Sequence, residues 1–123
     1  MTNRIQWMRR LFLVKGASAG LGRATASRLA GMKAHVVMVC RDRARGEAAR
    51  DEIKSQSKNE SVDLMLADLS SLASVRSLAA EFGAKYSKLD VLINNAAVVL
   101  SSRTVTPEGF EQMFATNYLG GSF

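Results

Sequence analysis

This sequence of 123 residues predicts an α/β fold built on a parallel sheet, and three observations indicate it. Short apolar runs alternate four times with segments of helical periodicity, as parallel strands joined by helices require. A glycine-rich turn separates the first apolar run from the first helical segment. The second run, 34–40, is apolar along its length, which is typical of a strand buried on both faces.

The first five elements follow from apolar periodicity. Strands are predicted at 11–15, 34–40 and 62–67, and helices at 21–31 and about 43–57. A third helix begins near Ser71, whose hydroxyl can cap it. Its apolar stripe consists of Leu72, Val75, Leu78, Ala79 and Phe82.

The last predicted elements are a strand at 91–93 and a fourth helix. A loop leads from this strand to Thr106-Pro107, a capping residue followed by proline at the first helical position. The buried stripe of the fourth helix contains Phe110, Met113, Phe114 and Asn117. A buried amide needs partners, so Asn117 is either structural or a site residue.

Strands alternating with helices pair in parallel through right-handed crossovers. The expected architecture is a doubly wound parallel sheet of Rossmann type, truncated, in a single domain (1–123) with strand order 3-2-1-4. The winding reverses between the first and fourth strands, and ligands bind at such switch points. We therefore expect a crevice between the glycine turn and Asn94-Asn95-Ala96-Ala97.

Composition excludes several classes of function. The net charge of +6 comes from scattered residues, and no aromatic residues interleave with the arginines from 41 to 50, so no nucleic-acid site is expected. No stretch approaches a membrane span, and one His with one Cys is too few for a metal centre. Cys40 is the only cysteine, which fits a reducing, cytoplasmic location.

The glycine turn has the chemistry of a phosphate cradle. Gly16, Gly20 and Gly22 lie between an apolar strand and a helix N-terminus. Backbone N–H groups can face an anion there, and the helix dipole favours negative charge. The spacing is G-x-x-x-G-x-G, and a glycine triplet alone also serves as an ordinary turn.

Arg41 and Asp42 follow the second strand, where the residue that recognises the adenosine ribose belongs. An acidic strand tip would accept hydrogen bonds from the ribose of NAD, whereas a guanidinium suits the 2′-phosphate of NADP. The sequence therefore favours NADP(H), with NAD(H) second. The alternative is that Arg41 is a solvated loop residue while Asp42 caps the second helix.

Two further strand ends carry polar residues. Asp68, before Leu69, can accept a hydrogen bond from an adenine amine or can cap a helix, and the sequence does not choose between these. Asn94 and Asn95 can line the crevice or mark a turn. His35 opens the second strand, far from the crevice, and is assigned no chemistry.

The ordered motifs resemble the short-chain dehydrogenase/reductase family over nearly the whole chain. The residues that carry the resemblance are Gly16-Ala17-Ser18-Ala19-Gly20-Leu21-Gly22, Asp68-Leu69, Asn94-Asn95-Ala96 and Asn117-Tyr118-Leu119-Gly120. The stretch from Val39 to Arg45 is similar to the retinol dehydrogenase-like branch, whose members commonly use NADP(H).

The resemblance implies a role for each matching position. Gly16, Ser18, Gly20, Leu21 and Gly22 would border the pyrophosphate and its ribose. Arg41 would hold the 2′-phosphate, Asp68 and Leu69 would bracket adenine, and Asn94 and Ala96 would lie near the nicotinamide ribose. Asn117 would match the asparagine that supports the family's proton relay. The complete enzyme would take a nicotinamide dinucleotide and a small alcohol or carbonyl substrate.

The chain also departs from the family. Lys15 stands where the family usually has threonine, and Ala97 where it usually has glycine. The family's catalytic serine and Tyr-x-x-x-Lys motif lie beyond the Asn117 region and are absent here. The resemblance therefore implies the N-terminal, cofactor-binding half of an oxidoreductase, inactive alone. The alternative is a non-catalytic nucleotide-binding or interaction module.

The missing strands also affect assembly. Without a fifth parallel strand, 90–93 is expected to be an exposed apolar edge, and 91–93 has no charge, proline or bulge to protect it. We therefore expect self-association through this sheet edge.

Overall fold

The computed structural model describes residues 10–68, 70–93 and 98–103. Its elements are β1 (Leu11–Lys15), α1 (Gly20–Gly31), β2 (His35–Cys40), α2 (Arg43–Ser57), β3 (Val62–Leu66), α3 (Leu72–Lys85), β4 (Leu89–Ile93) and β5 (Val98–Arg103). The predicted fourth helix and its Asn117 lie outside the described residues.

The sheet has the order β3-β2-β1-β4-β5. Its first four strands are parallel, with Leu13 of β1 between Val37 of β2 and Leu92 of β4. The parallel order 3-2-1-4 predicted from the sequence is therefore confirmed. It brings the carboxyl ends of the strands to one edge of the sheet, where the loops after β1, β2 and β3 meet.

The predicted loop after the fourth strand is wrong over residues 98–103. These residues form β5, which pairs antiparallel with β4 so that Leu92 lies opposite Val99 and Ile93 opposite Val98. Antiparallel pairing needs only a short connection, and the run from Val98 to Leu100 has the β-branched, apolar character of a strand. The prediction that the far edge of β4 is exposed is therefore also wrong.

Two apolar layers cover the sheet. Alternate residues of β1 point to opposite faces, so Leu13 packs under α3 and Val14 packs under α1 and α2. Phe82 fills the layer under α3, and Ile53 fills the layer under α2. Burial on both faces explains why β1 and β2 are apolar without alternation.

The helix α3 begins as predicted, because the Ser71 hydroxyl accepts a hydrogen bond from the Ser74 N–H at 3.2 Å. Its predicted stripe is wrong at Leu72, which is 54% exposed, whereas Val75, Leu78, Ala79 and Phe82 lie in the core. Helical side chains lean toward the N-terminus, so a side chain in the first turn projects past the sheet.

The helices of the described residues are too short or too polar to cross a lipid bilayer.

Candidate functional site

The glycine turn after β1 has a backbone that only glycine adopts readily. Gly16 has φ 65° and Gly20 has φ 60°, both in the left-handed region. A Cβ on Gly22 would collide with the carbonyl group of Gly16, so the first turn of α1 packs directly on the turn. The Gly16 N–H donates to the Val39 carbonyl at 2.9 Å and ties the turn to β2.

The N-terminus of α1 differs from those of the other two helices. Asp42 caps α2 and Ser71 caps α3 through their side chains, whereas no described side chain caps α1 at Ala19. The first turn of α1 also carries no acidic residue. Its amide groups and helix dipole are therefore suited to an external anion.

A cavity of about 330 Å³ opens beside the glycine turn. It lies at the carboxyl ends of β1, β2 and β3, one strand over from the predicted crevice between the first and fourth strands. Its lining residues are Gly16, Ser18, Val39, Cys40, Arg41, Ala67, Asp68 and Ser70. The structure thus brings together Gly16, Ser18, Arg41 and Asp68, four of the residues predicted for the site.

Arg41 lies in the wall of this cavity, on the two-residue connection between β2 and α2. The next residue, Asp42, accepts the Arg45 N–H at 3.0 Å and caps α2. The alternative is therefore correct for Asp42, and Arg41 is an exposed loop residue, as that alternative also has it, which lines the cavity. The cavity thus has a guanidinium at the tip of β2 and no carboxylate at that tip.

Asp68 lies across the cavity from the glycine turn and is held by Ser70. Its carboxylate accepts the Ser70 hydroxyl at 2.6 Å and the Ser70 N–H at 3.0 Å. These two hydrogen bonds lower the pKa of Asp68, and the charge of Arg41 adds to the effect. The alternative that Asp68 caps a helix is wrong, because Ser71 caps α3.

Cys40 forms the floor of the cavity, a role that the sequence analysis missed. Burial raises the pKa of its thiol, although hydrogen bonds with Ala17 and Ser18 act in the opposite direction. Val39, Ala67 and Ser70 also line the cavity and were not predicted from the sequence. Their position at the carboxyl ends of parallel strands was the signal that could have found them.

Lys15 ends β1 and directly precedes the glycine turn. Its side chain is buried and is not part of the cavity wall. Burial lowers the pKa of its amine. The side chain lies on the same face of the sheet as Leu11 and Leu13, under α3.

The remaining predicted residues divide into two groups. Gly20, Leu21 and Gly22 begin α1, and the side chain of Leu21 is largely exposed outside the cavity lining. Four residues lie outside the described parts of the chain: Leu69, Asn94, Ala96 and Asn117. Their predicted roles stay predictions.

His35 lies at the opposite end of the sheet from the cavity. Its Nε2 is 2.9 Å from the Asp63 carboxylate, which also accepts the Tyr86 hydroxyl at 2.5 Å. This arrangement joins β2, β3 and the end of α3, which is a structural role. Within residues 10–68, 70–93 and 98–103, no three side chains of His, Cys, Asp or Glu converge as a metal site would require.

Comparison with known proteins gives one consistent group of relatives. The family model described as short chain dehydrogenase matches residues 10–122. Retinol dehydrogenase 12 of Mus musculus is 40% identical over 119 residues, which are 97% of this chain and 38% of that protein. The chain therefore spans well under half the length of this curated relative.

Solved structures of similar fold include a complex with NADP and an NADPH dependent reductase. The Pseudomonas aeruginosa RhlG/NADP active-site complex is 34% identical with a TM-score of 0.64, covering 72% of this chain and 34% of that one. YwfH, an NADPH dependent reductase involved in bacilysin biosynthesis, is 30% identical with a TM-score of 0.67, covering 71% of this chain and 34% of that one.

Proposed function

This chain belongs to the short chain dehydrogenase family, and from that premise we propose that it is the cofactor-binding half of an NADP-dependent oxidoreductase. The complete enzyme would move a hydride between nicotinamide and an alcohol or carbonyl carbon. The observation that carries the NADP assignment is Arg41 in the cavity wall, with Cys40 instead of a carboxylate at the tip of β2.

The residues present fit a dinucleotide. Because Gly22 has no Cβ, the first turn of α1 packs directly on the Gly16 carbonyl, which holds the helix N-terminus against the glycine turn. The uncapped N-terminus of α1 faces the same turn and favours a pyrophosphate. The adjoining cavity offers a cation at Arg41 and hydrogen-bond acceptors at Asp68 for the adenosine end.

Each of these groups has a defined task. The amides of the first turn of α1 would hold the pyrophosphate, and Ser18 would border the ribose. Arg41 would pair with the 2′-phosphate, while Asp68, fixed by Ser70, would accept from the adenine amine. A bound NADP(H) would supply or accept the hydride. Asn94, Ala96 and Asn117 would complete the nicotinamide side.

The proton step belongs to groups that these 123 residues do not provide. Tyr86 is two residues from Lys88, and Tyr118 has no lysine after it, so neither makes a Tyr-x-x-x-Lys pair. The hydroxyl of Tyr86 is moreover bound to Asp63 at the far end of the sheet. We expect this chain alone to show no turnover of NADPH with any carbonyl substrate in a spectrophotometric assay.

The test is a titration of the chain with NADPH and NADH by calorimetry. We expect weak binding with a preference for NADPH, and Arg41→Asp should lower the affinity for NADPH by about tenfold to a hundredfold while sparing NADH. The matched control is Arg43→Asp, which makes the same change of charge two residues away, outside the cavity lining. Its ratio of the two affinities should stay close to that of the unaltered chain.

Equal affinity of the unaltered chain for both dinucleotides would overturn the NADP assignment. An equal loss of preference in both variants would assign the effect to general charge instead of a contact with Arg41.

Self-association and a cytoplasmic location remain proposals. Among the strands of the described residues, β3 and β5 are the outer two.

A further inference from the structure

Gly46 lies in α2, at the point where that helix meets the sheet behind the candidate cavity. A Cβ at this position would stand 2.9 Å from Cδ1 of Leu64 and 3.3 Å from Cβ of Cys40. The first distance is shorter than a real carbon–carbon contact, so a side chain here would move either Leu64 or the helix. Gly46 therefore lets α2 pack on β2 and β3 without displacing Leu64 or crowding Cys40.

The cavity residue Arg41 is rigidly connected to this contact. Only Arg41 and Asp42 separate the end of β2 from the start of α2, and the Gly46 N–H donates to the Asp42 carbonyl at 2.9 Å. The other end of the connection is fixed because the Cys40 carbonyl accepts the Ala67 N–H at 3.0 Å. A connection of two residues has few backbone torsions that could absorb a movement of the helix. An outward displacement of α2 would therefore displace Arg41.

We propose that Gly46 is a positioning residue for recognition of the 2′-phosphate, because its close packing on Cys40 and Leu64 fixes Arg41 at the cavity wall. The inference rests on the proposed function, and it concerns discrimination between NADPH and NADH. An added methyl group at Gly46 would act through the helix and the connection, without contacting either dinucleotide.

The first experiment measures the ratio of affinities for NADPH and NADH in four forms of the chain. Gly46→Ala should lower this ratio by about tenfold relative to the unaltered chain. Leu64→Val in the same background removes the Cδ atoms from the contact and should restore most of the ratio. Gly31→Ala is the matched control, since it adds the same methyl group to a helix at a point with no neighbour within 4 Å.

The second experiment uses Cys40 as a reporter of the same contact. It is the only cysteine of the chain and is 3% exposed, so its labelling by an aromatic disulfide reagent reports how tightly the residues around it pack, α2 at Gly46 among them. Labelling of the chain without dinucleotide should be faster in Gly46→Ala than in the unaltered chain. It should slow again in the double variant and stay unchanged in Gly31→Ala.

The outcomes separate this inference from the proposed function. If the unaltered chain does not prefer NADPH, the proposed function fails, and this inference fails with it. If the unaltered chain prefers NADPH and Gly46→Ala keeps that preference, only the role of Gly46 is overturned. A lower melting temperature in Gly46→Ala with unchanged preference and labelling would likewise reduce Gly46 to a packing residue and overturn the proposal.

Discussion

At the scale of single residues, Lys15 is a buried lysine. It ends β1 with its side chain 7% exposed, on the apolar face that α3 covers. Removing an ammonium group from water disfavours its charged form, which is why burial lowers the pKa of Lys15 below its ordinary value of 10.5. The chain has a cation at a position where its relatives are expected to have a neutral hydroxyl.

The lowered pKa of Lys15 predicts how stability depends on pH. Between the folded pKa and 10.5, the unfolded chain binds a proton at Lys15 that the folded chain has lost. The contribution of Lys15 to the free energy of unfolding therefore rises with pH across this window. We expect Lys15→Met, which keeps the length of the side chain, to be more stable than the unaltered chain at neutral pH.

The measurement is urea denaturation of both proteins from about pH 7 to pH 10.5, the ordinary pKa of lysine. The advantage of Lys15→Met should shrink as the pH rises, while other titrating groups, Cys40 among them, cancel in the difference. A stability difference that is constant with pH would contradict the prediction.

At the scale of elements, β2, β3 and α3 are joined by polar side chains at the end of the sheet away from the cavity. Burial alone would raise the pKa of Asp63. Hydrogen bonds from Tyr86 and His35, with the positive charges of His35 and Lys85, outweigh burial and leave the pKa of Asp63 below 3.8. Tyr86 also packs on Phe82, with ring centroids 4.8 Å apart, so the polar group is continuous with the core.

We predict that Asp63→Asn lowers the free energy of unfolding at neutral pH by about 1 kcal/mol, because the ionised acceptor of two hydrogen bonds is lost. Since the folded pKa of Asp63 is depressed, its contribution is present above 3.8 and is lost as the pH falls through the folded value. Urea denaturation at pH 7 and near pH 3 should show the two proteins differing at the higher pH and converging at the lower one.

Asp51→Asn is the matched control for this experiment. Asp51 is an exposed carboxylate of α2 that pairs with Arg50 at the surface, where an ion pair contributes little. Its replacement should change stability by no more than a few tenths of a kcal/mol. If Asp63→Asn behaves like this control, the polar cluster does not stabilise the junction of the three elements.

The elements themselves were predictable wherever one local signal decided them. The start of α3 follows from the Ser71 hydroxyl, and β2 follows from its apolar run, so both were found. The start of β4 was placed too late because Asp90 is charged. In the structure, this buried carboxylate accepts the Leu11 N–H at 2.8 Å, a contact between residues 79 apart that no local pattern contains.

The same distinction holds for the site. The glycine turn and Arg41 were found because their positions relative to the strands are fixed by the fold class. Cys40 and Ser70 were missed because their part in the cavity depends on which way each side chain points at a strand end. In the turn after β2, Asp42 caps α2 and Arg41 lines the cavity. Assigning these two roles from the sequence would have required the exact residue at which α2 begins.

At the scale of the whole molecule, the strand β5 covers the far edge of β4. Its backbone pairs with β4, with Leu100 opposite Val91, and so occupies the hydrogen-bonding groups that the sequence analysis expected to be free. The prediction was wrong because it considered only a parallel strand as a partner for β4. A following segment can supply an antiparallel partner with a much shorter connection than a parallel one needs.

We predict that Leu100→Pro exposes the edge of β4 and causes the chain to associate. Proline removes a backbone N–H and fixes φ, so it disrupts a strand pair at this point, whereas Leu100→Ala keeps the N–H and serves as the matched control. The apolar strand β4 would then offer unpaired backbone groups to a second copy. Light scattering after size exclusion should give a larger mean mass for Leu100→Pro than for Leu100→Ala or the unaltered chain at the same concentration. Equal masses for all three would mean that β5 does not protect β4.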